Sequence, residues 1–113
     1  MSTCTGALLL GYAGVFDGLK ATTYYRALGQ LCDVCADYVK RTPRAKGTKV
    51  VPDVPTDAIR YVDAELNESK IRVISSGGIS CGLDATLYLV SQRLGKDTAV
   101  SVAEMMEYAW REA

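Results

Sequence analysis

Three stretches of the chain place apolar residues on one face of a helix. The first stretch predicts a helix from about residue 25 to residue 39, and its apolar residues are Leu28, Leu31, Cys32, Cys35 and Val39. The second predicts a helix in which Leu83, Leu87, Val90 and Leu94 lie on one face, and Gly95 is expected to end this helix as a C-terminal cap. The third predicts a helix from Thr98 to Trp110 and puts its Met and Trp side chains in the core.

A fourth, shorter helix is predicted at Ala7 to Leu10. This run is apolar on every side, which is typical of a helix buried in a larger body, so its faces need neighbours. Four segments predict short strands: residues 19–22 after a turn at Asp17-Gly18, residues 48–51 in a loop-rich middle, residues 58–62, and residues 70–74. A turn at residues 67–69 would join the last two.

Composition narrows the possible functions. Thirteen basic and thirteen acidic residues give a net charge of zero, and no long basic run is present, so we expect no nucleic-acid partner. The longest apolar stretch is far shorter than the roughly 20 residues of a membrane span, and no charged segment of an export signal precedes it. We therefore expect a cytoplasmic protein that does not enter membranes.

The chain has four cysteines and no histidine. In a reducing compartment we expect free thiols rather than a disulfide framework. The absence of histidine removes the usual general base and the commonest zinc ligand, so we expect no metal site, and nothing implies a cofactor. Cys32-Asp33-Val34-Cys35 is a possible redox pair, but both sulfurs lie on the apolar stripe of the first helix. Packing in the core is therefore the favoured interpretation of both.

Cys4 is the leading candidate for chemistry. A small residue, Cys, a small residue and Gly before an apolar helix match the requirements of a nucleophile elbow, in which the side chain stands on a sharp turn. Backbone N–H groups at such a helix start favour a thiolate and can hold an oxyanion. On this pattern alone, however, an ordinary buried cysteine is the favoured interpretation.

A glycine-rich loop, Gly77-Gly78-Ile79-Ser80-Cys81-Gly82, also has two interpretations. It can bring its backbone close to a small ligand, or it can be a tight strand-to-helix connection whose glycines permit positive φ. The structural interpretation is favoured, since the loop lacks the Lys and the spacing of a phosphate-binding loop. We expect Asp84 to lie in the first turn of the next helix and to compensate its dipole rather than to act as a catalytic acid.

Taken together, three ordered motifs resemble the ThiJ/PfpI family of the class I glutamine amidotransferase-like superfamily. They are Cys4-Thr5-Gly6-Ala7 with residues 13–23, then Ser75 to Asp84, then residues 102–108. The resemblance covers nearly the whole chain in collinear order, except the Pro-containing middle around residues 41–55. It implies an α/β protein with a partial flavodoxin-like three-layer fold that lacks its N-terminal strands, including the strand before Cys4. Residues 1–113 would form a single truncated ThiJ/PfpI-like domain.

The sequence departs from the family at two points that bear on activity. Many members carry histidine after Ala21-Thr22-Thr23, where this chain has Tyr24. A phenol with an ordinary pKa near 10 is a poor base at neutral pH, although it can donate a hydrogen bond, so a Cys-His hydrolase mechanism is disfavoured. For members that hydrate isonitriles, the resemblance implies the elbow cysteine with an acid from the first half of the domain. No acidic partner for Cys4 is identified in this chain.

Three functional hypotheses follow. The chain is a cysteine-dependent hydrolase or hydratase for a small molecule, with Cys4 catalytic and Thr5, Tyr24 and Gly78 around the substrate; the Thr5 backbone N–H would face the oxyanion. Alternatively, it is a non-catalytic relative with a redox-sensitive thiol. Alternatively, it is an incomplete remnant that depends on a partner. The resemblance also implies a homodimer.

Overall fold

The computed structural model describes residues 1–52 and 59–112. Within them the α-helices are α1 (Ala7–Tyr12), α2 (Leu28–Arg41), α3 (Ile79–Leu94) and α4 (Lys96–Met105), and single turns of 3-10 helix precede α1 at Cys4–Gly6 and α2 at Tyr25–Ala27. The strands are β1 (Ser2–Thr3), β2 (Lys20–Ala21), β3 (Lys49–Val50), β4 (Tyr61–Leu66) and β5 (Arg72–Ser76). No helix of the described residues is long and apolar enough to cross a membrane.

The strands form two small sheets. In the first, β5 lies between β1, with which it pairs in parallel, and β4, with which it pairs antiparallel. In the second, β2 and β3 are parallel. The mixture of helices with small parallel and antiparallel sheets is an α/β architecture compatible with part of a flavodoxin-like fold, as the sequence predicts.

A strand does precede Cys4, contrary to the expectation that it is missing. Ser2 pairs with Ser75 and Thr3 with Ser76, so β1 lies beside β5 and runs parallel to it over two residues. The chain then turns at Cys4 into the 3-10 turn. A Cβ on Gly82 of α3 would stand only 2.6 Å from the Thr3 Cγ2, so α3 packs against β1 more closely than any larger residue would allow.

The main core lies between α1, α2 and the strands. Its fully or nearly fully buried members are Ala7, Phe16, Ala21, Leu28, Leu31, Cys35, Val50 and Val73. The helix predicted at residues 25–39 is confirmed, with a 3-10 first turn and an end at Arg41. Cys35 is buried as expected, but the prediction for Cys32 is wrong, because that side chain is exposed. The buried face of α2 is therefore narrower than the apolar stripe in the sequence indicates.

Helix α1 is present where the sequence predicts it, but only part of it is buried. Ala7 and Gly11 face the core, and a Cβ on Gly11 would stand 3.1 Å from the Leu31 side chain and 3.2 Å from the Cys35 sulfur. The side chain of Leu9 is 76% exposed. Leu8 and Leu10 pack partly against the core, so the prediction that the helix is buried on every side is wrong for the face that carries Leu9.

Helix α3 ends as predicted, with Gly95 at φ 98° and its N–H bonded to the Ser91 carbonyl. Its buried face is different from the predicted one. Of the apolar stripe, Leu87 is buried, but Leu94 is 67% exposed. Besides Leu87, the buried positions of the helix are Gly82, Asp84 and Ala85, which are not part of the predicted stripe.

Helix α4 begins and ends earlier than predicted. It runs from Lys96 to Met105, and the chain then reverses through Glu107, which has φ 53°. Met105, the last residue of the helix, is 85% exposed, so the prediction that it is a core residue is wrong. Trp110 is only partly buried, and it lies in the returning segment rather than in a helix.

The antiparallel hairpin is shifted along the chain. The strand predicted at residues 58–62 is observed as β4 from Tyr61 to Leu66, and residue 58 lies outside the described residues. The predicted turn is confirmed: the Ile71 N–H donates to the Asn67 side-chain carbonyl at 3.0 Å, and Lys70 has φ 61°. The other two predicted strands are reduced to two residues each, β2 and β3.

Candidate functional site

Cys4 stands on a sharp turn between β1 and α1. Its φ is 53°, in the left-handed region that a residue other than glycine rarely adopts. The turn is held from two sides, because the Cys4 N–H donates to the Gly77 carbonyl at 3.0 Å and the Cys4 carbonyl accepts from the Thr23 hydroxyl at 2.7 Å. The thiol is partly exposed. This geometry is the strained strand-to-helix turn that a nucleophile elbow requires.

The cysteine opens onto a cavity of about 560 Å³. The cavity is lined by Cys4, Thr23, Tyr24, Tyr25, Ile59, Arg60, Gly77, Gly78, Ile79, Ser80 and Cys81. Three of the four predicted site residues therefore meet here: Cys4, Tyr24 and Gly78. Thr5 does not line the cavity and is exposed, so a contribution from its backbone N–H stays a prediction.

Tyr24 and Gly78 are in contact across the cavity wall. A Cβ on Gly78 would stand 3.6 Å from Cδ1 of Tyr24, and the Tyr24 ring lies edge-on to the Tyr25 ring at a centroid distance of 5.1 Å. Gly78 is in extended backbone, with φ −61°, and Gly77 is likewise not among the glycines with positive φ. Neither glycine is therefore needed for a left-handed turn; close packing is found at Gly77, where a Cβ would stand 3.3 Å from the Cys81 sulfur, whereas a Cβ on Gly78 would make only an ordinary contact.

Arg60 forms the charged part of the wall. Its Nε donates to the Asp84 carboxylate, and its Nη2 donates to the Ser80 hydroxyl at 3.1 Å. Burial opposes the charged guanidinium and is the largest single effect, but the hydrogen bond to Asp84 and the electrostatic interactions with Cys81 and Asp84 together outweigh it, so the pKa of Arg60 is raised. The guanidinium thus stays cationic and held in place.

Asp84 is the centre of this arrangement. It is 0% exposed, and besides Arg60 it accepts from the Tyr108 hydroxyl and the Arg111 N–H, each at 2.9 Å. The Trp110 indole N–H donates to the Asp84 backbone carbonyl at 3.2 Å. The expectation that Asp84 compensates the dipole in the first turn of α3 is wrong, because it lies beyond that turn and carries an internal ion pair.

Chemically, the cavity combines two thiols, two phenols and a guanidinium. No carboxylate of the described residues lines it. Cys32 and Cys35 line a different cavity on α2, where burial raises the pKa of Cys35. Within residues 1–52 and 59–112, no group of three or more potential ligating side chains is arranged to hold a metal ion.

Sequence reasoning did not identify Arg60 and Asp84 as neighbours of the site. The available signal was weak: Arg60 interrupts a predicted apolar strand, and Asp84 is the one charged residue in the first half of a predicted helix. Each is tolerated inside only because the other is present. Cys81 was seen only as part of the glycine-rich motif.

Comparison with known proteins finds a distant relative. The chain is 31% identical over 108 residues to an isonitrile hydratase of Pseudomonas putida. The aligned residues cover 96% of this chain and 37% of the relative. The chain thus spans little more than a third of the length of that protein. No family model matches the chain. The similarity supports a relationship to the ThiJ/PfpI family.

Proposed function

We propose that this chain is the C-terminal part of a ThiJ/PfpI domain and that Cys4 is the nucleophile of a hydratase-like or hydrolase-like reaction on a small molecule. The observation that carries the proposal is the position of Cys4: a partly exposed thiol at φ 53° on a strand-to-helix turn that opens onto the cavity. The named relative makes an isonitrile the first substrate to test.

The cavity suits a small substrate. Its volume of about 560 Å³ lies within the range of ligand pockets, roughly 300–1,000 Å³. Ile59 and the two tyrosine rings supply apolar surface for the body of the substrate, while Arg60 and the Tyr24 hydroxyl offer hydrogen-bond donors. Tyr24 orients the substrate as a donor and does not act as a base.

The reaction proposed for an isonitrile balances without a cofactor. The Cys4 thiolate adds to the terminal carbon, which takes a proton from water, and a thioimidate forms. A water molecule then adds across the carbon–nitrogen double bond, with its oxygen on the carbon and one proton on the nitrogen. The carbon–sulfur bond breaks, the hydroxide left from the first step takes the remaining hydroxyl proton, and the thiolate and an N-substituted formamide are released. A backbone N–H at the start of the turn, such as that of Thr5, would stabilise the negative charge that develops during these steps.

The test is formamide production from a small alkyl isonitrile by the purified chain, followed by NMR. We expect turnover in the original chain, a fall to background in Cys4→Ala, and no change in Cys32→Ala, which removes an exposed thiol away from the cavity. Equal turnover in Cys4→Ala and the original chain would disprove the role of Cys4. If only a panel of small amides or aldehydes gives Cys4-dependent turnover, the nucleophile is retained and the isonitrile substrate is rejected.

A cytoplasmic location and self-association as a homodimer are further parts of the proposal. The four free cysteines are compatible with a reducing compartment. Leu9 of α1 and Ile79 of α3 are 76% and 86% exposed, which favours burial of these side chains against another copy. Sedimentation velocity over a range of concentrations tests this: we expect a dimer at micromolar concentration, and a monomer throughout would contradict it.

A further inference from the structure

The cavity contains a second thiol that the proposed reaction does not use. Cys4 and Cys81 both line it, and both are partly exposed, whereas Cys32 and Cys35 lie around a separate cavity on α2. Two thiols that line the same cavity have chemistry available to them that a single thiol lacks, since the oxidised form of one can be attacked by the other.

Gly77 is the common neighbour of the two cysteines. The Cys4 N–H donates to the Gly77 carbonyl at 3.0 Å, and the Cys81 sulfur lies 3.3 Å from the position that a Cβ on Gly77 would occupy. Because Gly77 has no side chain, nothing at that residue separates the Cys81 sulfur from the Cys4 turn.

The residues adjacent to the cysteines are also in contact. Thr3 precedes Cys4, Gly82 follows Cys81, and the Thr3 Cγ2 lies 2.6 Å from where a Cβ on Gly82 would stand. Strand β1 and the first turn of α3 therefore approach each other closely at the two positions next to the thiols. A disulfide needs Cα atoms about 4.4–6.8 Å apart, which only such close backbones can supply.

We infer that Cys4 and Cys81 form a dithiol site that reacts with hydroperoxides and closes to an intramolecular disulfide. In the first step the Cys4 thiolate attacks a peroxide oxygen, the O–O bond breaks, and the sulfenic acid of Cys4 and an alkoxide or hydroxide form. In the second step Cys81 attacks the Cys4 sulfur, and water leaves as the disulfide forms. In total the two thiols lose two electrons. These electrons reduce an alkyl hydroperoxide to an alcohol and one water, or hydrogen peroxide to two waters.

This reaction is independent of isonitrile turnover, and closure would remove the nucleophile of the proposed function. The disulfide joins the turn after β1 to the first turn of α3 and takes both sulfurs out of the cavity. A thiol reductant would restore them. The site would thus be active toward its small substrate only when reduced.

Peptide mapping can identify the bond directly. Trypsin places Cys4 in the peptide of residues 1–20, Cys32 and Cys35 together in the peptide of residues 27–40, and Cys81 in the peptide of residues 73–93. The folded chain is treated with a small excess of hydrogen peroxide, unreacted thiols are alkylated under denaturing conditions, and the unreduced digest is examined by mass spectrometry. We expect a linked pair of peptides 1–20 and 73–93, the loss of two of the four alkylatable thiols, and reversal by dithiothreitol.

Three variants make the test specific. In Cys81→Ser the linked pair should vanish, and a sulfenic acid that dimedone traps should accumulate at Cys4. In Cys4→Ser, Cys81 should remain alkylatable, while Cys32→Ser should behave as the original chain. Conversion of Cys4 to the sulfinic acid in the original chain without any link to peptide 73–93 would overturn the inference. So would equal formation of the linked pair in chain unfolded by urea, since the native geometry would then contribute nothing.

Discussion

Two clusters of the same composition differ in burial and in what they do. Each joins an aspartate, an arginine and a tyrosine by hydrogen bonds: the inner cluster is Asp84, Arg60 and Tyr108, and the outer cluster is Asp63, Arg72 and Tyr88. The aspartate and arginine side chains are 0% and 14% exposed in the inner cluster, and 14% and 30% exposed in the outer one. The outer ion pair connects elements of the fold, whereas the inner ion pair holds a side chain of the candidate site in place.

The outer cluster connects neighbouring elements of the fold. Asp63 of β4 receives hydrogen bonds from Arg72 of β5 and from Tyr88 of α3, the latter at 2.6 Å. The hydrogen bond from Arg72, opposed by burial and assisted by Tyr88, lowers the pKa of Asp63 to about 2. Water still reaches Arg72, so loss of Asp63 leaves the guanidinium partly solvated.

The inner cluster instead positions a cavity wall. A fully buried carboxylate gains little net stability from its ion pair, because removal of both charges from water costs about as much as their attraction returns. What it does provide is a fixed guanidinium in the wall of the cavity that Cys4 also lines. We therefore expect single substitutions in the inner cluster to be more damaging than the matched ones in the outer cluster, because they leave a charge buried without a partner.

The largest effect is expected for the aspartates. Asp84→Ala leaves the Arg60 guanidinium without its counter-ion and frees the Tyr108 and Arg111 donors, so the free energy of unfolding should fall by about 3–5 kcal/mol. Asp63→Ala should cost about half of that, since Arg72 keeps access to water. Urea denaturation followed by far-UV circular dichroism measures both. Equal losses would show that burial does not distinguish the clusters.

An intermediate effect is expected for acid. Because the pKa of Asp63 is about 2 in the folded chain and 3.8 is its ordinary value, the folded state binds fewer protons than the unfolded state between these limits. The contribution of Asp63 is thus complete above about pH 4 and is lost as the pH falls toward 2, a loss of roughly 2 kcal/mol. The unfolding free energies of the original chain and of Asp63→Asn should converge over this window. A difference that does not change with pH would argue against the ion pair.

The smallest effect is expected for the tyrosine hydroxyls. Tyr108→Phe removes one donor from a fully buried carboxylate and should cost about 1–2 kcal/mol, whereas Tyr88→Phe, whose acceptor keeps Arg72 and some water, should cost about 0.5–1 kcal/mol. Thermal unfolding provides the comparison, with Tyr12→Phe as the matched control because the Tyr12 ring is 61% exposed. A larger loss in Tyr88→Phe than in Tyr108→Phe would reverse the expected order.

Local pattern predicted most elements but not their buried faces. The spacing of Leu28, Leu31 and Cys35 identifies α2, and Gly95 identifies the end of α3, because periodicity and caps are properties of neighbouring residues. Periodicity cannot show which side meets another element. It favoured Leu94 and Met105 as core residues although both are exposed, and it missed that the buried face of α3 carries a charge at Asp84.

The candidate site was predicted in part for the same reason. Cys4 was identified because the pattern of a nucleophile elbow occupies four consecutive residues. Tyr24 and Gly78 were identified through the family resemblance. Arg60 and Cys81 were not proposed, since their approach to Cys4 depends on long-range pairing of β1 with β5 and on the packing of α3 against Thr3. No local signal reports such distances.

The segment that returns after α4 has a consequence for engineering this cavity. Tyr108, Trp110 and Arg111 line none of it, yet all three hydrogen-bond to Asp84 and so bear on how Arg60 is oriented. A library confined to cavity-lining positions would overlook these residues. Selections for altered substrate preference should therefore also recover changes at residues 108–111, which would act by tilting the guanidinium rather than by reshaping the wall.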